Sequence, residues 1–172
     1  MRSEELFEGF NEYIIELRAL SPDFRIEKLK EEMLRSRRYK HALSAILLDV
    51  DEFHKVNEAF SSQAGDKILS IIVKIMKRTI RSVDILTRYS GDRFLIILPN
   101  TNRREALELA ERLRENVEKR TARIEGLPKG VTLTLSAGQS DTEINSSDFM
   151  RKLENTLIDG KKRERNKIYT AG

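Results

Sequence analysis

Ile85-Leu86-Thr87-Arg88-Tyr89-Ser90-Gly91-Asp92-Arg93-Phe94-Leu95-Ile96-Ile97-Leu98 is the stretch whose reading decides the fold. Two apolar, strand-like runs, Ile85 to Tyr89 and Phe94 to Leu98, flank a short polar insert in which Gly91 can take positive φ, so the pattern predicts a β-hairpin with Ser90-Gly91-Asp92-Arg93 at its tip. Some forty residues upstream, Leu47-Leu48-Asp49-Val50-Asp51 ends another apolar run, and Ala42 to Asp49 reads as a buried strand. Asp49 and Asp92 thus both fall at strand ends. Each can project from a sheet rim toward one metal ion, although a strand-end Asp taken alone is equally an ordinary solvated turn residue.

Outward from this pair, helices and strands mix. Leu6, Phe10, Tyr13, Ile14, Leu17 and Leu20 recur at helical spacing, with Ser3 as a plausible cap, and Ser21-Pro22-Asp23 breaks that helix before a second one running to about Arg38. Helices are predicted over Phe53 to Phe60 and Gly65 to Arg81. Another runs from Arg103 to about Arg120 with Ala106, Leu109, Ala110, Leu113 and Val117 as its stripe, and the last covers Ser147 to Gly160. Gly126 to Gly130 is a loop, Val131 to Ser136 alternates as a strand, and Lys167-Ile168-Tyr169 adds an edge strand. The order β, α, α, β, β, α, β, α, β predicts an α+β domain: an antiparallel-containing sheet with helices packed on it. Residues 1–22 are expected to be a lead-in helix and linker, and residues 23–172 the domain.

Composition narrows the function classes. The 172 residues suffice for one substantial core, 39% are apolar, and the net charge of +4 is small beside 32 basic and 28 acidic residues. The basic residues read as spread over helices and not interleaved with aromatics, so binding to DNA or RNA is not expected. The absence of cysteine excludes disulfides and thiolate metal sites. With neither an apolar run of transmembrane length nor a signal-peptide pattern, a cytoplasmic location is expected.

Asp-Val-Asp-x-Phe at 49–53 followed by Tyr-x-Gly-Asp-x-Phe at 89–94 resembles the GGDEF family of diguanylate cyclases, which join two GTP molecules into cyclic di-GMP, and the likeness covers residues from about 25 to 169. It implies the palm-like central sheet of nucleotide cyclases. It implies that Asp49, Asp92 and the Val50 carbonyl hold magnesium, which would polarise the α-phosphate and help activate the attacking ribose hydroxyl. Asn57 and Asp66 match the family's guanine-binding amide and carboxylate, although Asp66 is also an ordinary helix-start residue. Lys161 and Arg165 match the residues that hold the β- and γ-phosphates, although they also read as a basic helix end. Arg81-Ser82-Val83-Asp84, five residues before the signature, matches the Arg-x-x-Asp inhibitory site for cyclic di-GMP, with Arg112 as a further member; a surface ion pair is the simpler reading of the same four residues.

The chain departs from the family at chosen places. Ser90 and Arg93 stand where the signature has Gly and Glu, Ser61-Ser62 where the family has Gly-His, Ile158 where it has Tyr, and Glu164 where it has Gly before Arg-Asn. Arg93 replaces an acid at a catalytic position and changes the local charge by two units beside the metal carboxylates. The sequence therefore reads as a catalytically impaired domain that binds cyclic di-GMP, with GTP as a possible second ligand, and that forms a homodimer when ligand-bound. The alternative is an active cyclase condensing two GTP across a dimer.

Overall fold

The computed structural model describes residues 22–127 and 129–172. The expected lead-in helix over residues 3 to 20 lies outside them, as does Pro128 of the expected loop. Ten elements follow in order: α1 (Pro22–Tyr39), β1 (Leu43–Val50), α2 (Phe53–Phe60), α3 (Ser62–Thr79), β2 (Ile85–Ser90), β3 (Arg93–Pro99), α4 (Arg103–Thr121), β4 (Leu133–Gln139), α5 (Ser146–Arg163) and β5 (Ile168–Ala171). The α+β expectation holds.

The strands form one sheet in the order β2-β3-β1-β4-β5, antiparallel throughout except for the β4–β5 pair. Both faces are covered, so β1 is buried along its length and β3 at all but its two end residues, and each alternates between two cores. Ile46, Leu48 and Val50 of β1 join Phe94, Ile96 and Leu98 of β3 in a core closed by α3 and α4. Leu43, Ala45 and Leu47 join Leu95 and Ile97 in a second core closed by Leu29 and Met33 of α1 and Phe149, Leu153 and Leu157 of α5. This alternation positions the site. Asp49 and Arg93 continue the odd-numbered series and so lie on the α1/α5 face.

Local chemistry moves two helix boundaries from where periodicity alone sets them. α3 begins at Ser62 and not at Gly65, because the Ser61 hydroxyl accepts a hydrogen bond from the Ala64 N–H at 3.2 Å and caps the helix early. α5 runs on past Gly160 to Arg163, since the missing Cβ at Gly160 lets the Tyr169 ring of β5 lie against the helix; an added Cβ would meet that ring at 2.2 Å.

Ser61 has φ of 126°, a conformation that favours glycine. Such strain costs about 1–3 kcal/mol, whereas exchanging a Ser cap for Gly loses a few tenths. Ser61→Gly is therefore expected to raise stability by about 1 kcal/mol, or about 2–4 °C in melting temperature for a domain of this size. Thermal denaturation checks it, and a lower melting temperature would refute the strain.

Candidate functional site

The carboxylate of Asp49 is the centre of the site. In the sheet Asp49 lies directly across from Arg93 on one side and from Thr134 on the other. Its side chain is only 4% exposed, yet Oδ2 receives two cations: Arg93 Nη2 at 3.1 Å and Lys161 Nζ at 2.6 Å. The first comes from the neighbouring strand and the second from the last turn of α5. Asp49 Oδ1 is buried with no hydrogen-bond partner, as is Arg93 Nε.

Asp92 lies at the adjoining turn. Its carbonyl accepts from the Val50 N–H at 3.0 Å, which carries the β1–β3 ladder one residue beyond Arg93 and seats the Asp92 carboxyl near Asp49. Burial, and then the Asp49 charge, push the Asp92 pKa up from the ordinary carboxylate value. A folded-state pKa raised in this way favours the protonated form, so its stabilising effect is complete at acid pH and is lost as pH rises through that pKa.

The hairpin is held from both flanking helices. Arg25 of α1 donates to the carbonyls of Arg88 and Tyr89, and its guanidinium lies 4.7 Å from the centroid of the Tyr89 ring. Tyr89 in turn donates to Glu154 of α5, and its pKa is pushed up to about 12, chiefly by burial and then by that carboxylate. At the tip Gly91 has φ of 30°, and Arg88 Nε donates to its carbonyl at 2.7 Å.

Asp51 had no role in the sequence reading and has a large one in the fold. It is buried and accepts from the hydroxyls of Thr132 at 2.7 Å and Thr134 at 2.6 Å and from the Asn166 N–H at 3.0 Å. The Asn166 side chain is gripped from α4 by Arg114, at 2.9 Å, and Glu118, at 3.2 Å. Asp51 is thereby the anchor of the loop that presents the exposed Arg165. The readable signal was an acid just past a buried strand end together with a strand carrying Thr132 and Thr134 at alternate positions.

The expected guanine pair occupies one neighbourhood. Asn57 of α2 is half-buried, and its amide lies so close over Gly65 that an added Cβ there would meet Oδ1 at 1.7 Å. Asp66, the next residue of α3, is exposed. Lys161 and Arg165 are joined by three further residues: Arg93, Ile158, Lys161, Lys162 and Arg165 line one depression of about 380 Å³.

Arg81 and Asp84 are engaged with each other. Arg81 Nη2 lies 2.7 Å from Asp84 Oδ1, and the Arg81 N–H donates to Oδ2 at 2.8 Å. Arg81 Nη2 also reaches the Thr101 hydroxyl at 2.7 Å and the Pro99 carbonyl at 3.0 Å. The Asp84 side chain is fully buried, while that of Arg81 is 51% exposed. Arg112 is exposed one turn before Asn116, whose amide donates to Thr79 at the end of α3 at 3.2 Å. The simpler reading of Arg-x-x-Asp as an ion pair is thus present, with half of the arginine still facing solvent.

The donor set bears on a metal. Two carboxylates and the Val50 carbonyl are the candidate ligands, but Arg93 and Lys161 both sit on Asp49 Oδ2, so two cations already offset the two carboxylates, while Asp49 Oδ1 stays buried without a partner. Among the described residues no group of three or more His, Asp or Glu side chains converges as a metal-ligand set. In this arrangement the residues do not fit a tightly held divalent cation.

Known proteins resemble this chain in both sequence and fold. It is 29% identical to diguanylate cyclase A of Treponema denticola over 75% of the chain and 35% of that protein, and 32% identical to the probable diguanylate cyclase DgcT of Escherichia coli over 72% of the chain and 28% of that protein. The chain thus spans about a third or less of these relatives. Among solved structures, it is similar to the diguanylate cyclase SiaD of Pseudomonas aeruginosa, solved with its activator SiaC, with a TM-score of 0.81 and 26% identity over 98% of the chain and 67% of that chain. The GGDEF domain of DgcB from Caulobacter crescentus, solved with c-di-GMP, has the same fold, with a TM-score of 0.79 at 18% identity over 87% and 86%. No described helix is long and apolar enough to cross a membrane. With the family described as "Diguanylate cyclase, GGDEF domain" matching residues 24–167, and with the hairpin and the paired aspartates in place, the chain belongs to the GGDEF domain family.

Proposed function

We propose that this chain is a cyclic di-GMP signalling domain that binds guanine nucleotides and turns them over little or not at all. The observation that carries the reading is the 3.1 Å pair between Arg93 and Asp49. A site that transfers phosphoryl groups needs its carboxylates free for a hard cation, and here a permanent guanidinium occupies one of them. Residues 23–172 are the binding domain, and residues 1–22 its lead-in. Asn57 and Asp66 select guanine, Lys161 and Arg165 take phosphates, and the ligand-bound form is a homodimer.

Cyclic di-GMP is assigned to the surface of Arg81, Asp84 and Arg112, away from the paired aspartates. The support is the exposed half of Arg81, just past α3, together with an exposed Arg112 on the helix packed against α3, since two guanidinium groups suit both phosphate and guanine. Calorimetry should show saturable binding that survives Asp92→Ala and falls more than tenfold in Arg112→Ala, because a charged hydrogen bond contributes about 1.5–3 kcal/mol. Arg81→Ala should weaken binding similarly and also lower stability, as it strips the buried Asp84 of its ion-pair partner. No binding by the unmodified protein would overturn the assignment.

A second reading, a magnesium-dependent cyclase acting as a dimer, is favoured by one feature. Asp49 Oδ1 is buried without a partner beside an Asp92 whose charge is disfavoured, and a cation would relieve both. That reading requires Arg93 and Lys161 to leave Asp49. Formation of cyclic di-GMP from GTP decides between the two.

A further inference from the structure

The depression beside Asp49 is cationic beyond what the aspartates require. Arg93 and Lys161 answer Asp49, and Lys162 and Arg165 add two charges on the same rim, around one apolar side chain, Ile158. Among the described residues Lys162 pairs with the exposed Asp159 at 3.4 Å, and Arg165 feels the exposed Glu52 at a distance. Arg93 is held by strand register and not by a flexible reach, since its Cα stands opposite that of Asp49 in the ladder. Its guanidinium is fixed in the sheet rim with Nε unpaired, while the side chain keeps 23% of its surface open.

Such a site prefers a ligand with its full negative charge. Magnesium bound to a triphosphate removes two of that ligand's charges, and the two aspartates here already share two cations, Arg93 and Lys161, so the rim keeps no net negative charge to take the metal in exchange. We propose that Arg93 replaces the divalent cation in this chain: a triphosphate is received by Arg93, Lys161, Lys162 and Arg165 without metal, and magnesium weakens the complex. The inference rests on the assignment of Lys161 and Arg165 to phosphates, but not on the guanine assignment. Arginine suits the role because its planar fork gives two parallel donors to a phosphate and stays charged at any working pH.

The test titrates inorganic tripolyphosphate and GTP into the protein by calorimetry, in EDTA and in excess magnesium, with ATP as the control for base choice. Saturable binding of both in EDTA, weakened about tenfold by magnesium, is expected. Arg165→Gln, at an exposed position whose change leaves the fold intact, should lower affinity in EDTA about tenfold. Arg93→Glu should lose at least tenfold in EDTA and regain it in magnesium, which reverses the metal dependence. The inference is overturned if neither ligand binds in EDTA, if magnesium leaves binding unchanged or strengthens it, or if Arg165→Gln leaves affinity in EDTA unchanged. GTP bound only with magnesium would overturn it while leaving the guanine-nucleotide reading standing. Tripolyphosphate binding without any preference for GTP over ATP would support it and end that reading.

Discussion

Incubated with GTP and magnesium, the protein should form cyclic di-GMP at least a thousandfold more slowly than the roughly 1 s⁻¹ at the lower end of ordinary enzyme turnover. The expectation follows from charge. Unit charges about 4 Å apart interact by roughly 4 kcal/mol at an effective dielectric near 20, so a guanidinium seated on Asp49 opposes a cation there by several powers of ten in affinity. Lys161, at 2.6 Å from the same oxygen, adds to the opposition. Arg93→Glu reverses the sign of the nearer charge and should improve magnesium-dependent GTP binding or yield product, read by chromatography. Turnover near 1 s⁻¹ by the unmodified chain would sink the argument, and no gain of either kind in Arg93→Glu would pass the blame to the other departures.

Asp51→Ala should be the most destabilising polar substitution in the site. It leaves the Thr132 and Thr134 hydroxyls and the Asn166 N–H without their acceptor, Thr134 being fully buried. Each buried donor left unpaired costs about 1–3 kcal/mol, and some of that returns through Asn166 N–H to Thr134 Oγ1, already at 3.1 Å. A net loss of about 3 kcal/mol is expected, which lowers the melting temperature by about 6–12 °C. Asp51→Asn keeps the shape and one acceptor oxygen and should lose less than half as much. Equal melting temperatures for Asp51→Ala and the unmodified protein would show that the loop before β5 is held by Arg114 and Glu118 alone.

The sheet and its hairpin were legible because the apolar runs are bounded by Gly91 and by the two aspartates, and because alternation along β1 and β3 assigns each residue a face. The pairing of Asp49 with Arg93 was not. It depends on β1 lying beside β3 in one register, and residues 92 and 93 could have been turned either way by a hairpin of different length. Lys161 reaches Asp49 across 112 residues of sequence, from a helix that continues past a glycine which reads as a stop. The gathering of Lys162 and Arg93 with the two expected phosphate ligands likewise needs the packing of α5 against β1. Asn57 and Gly65 show the opposite case, where a short helix joined by one residue to the next left little room for any other placement.

The central claim, guanine-nucleotide binding without turnover, is tested most directly by equilibrium dialysis of the protein against radiolabelled GTP, with and without magnesium, followed by chromatography of the bound label. Saturable bound label that elutes as unchanged GTP under both conditions is the predicted result. Bound or released label eluting as cyclic di-GMP, or no bound label at all, would contradict it.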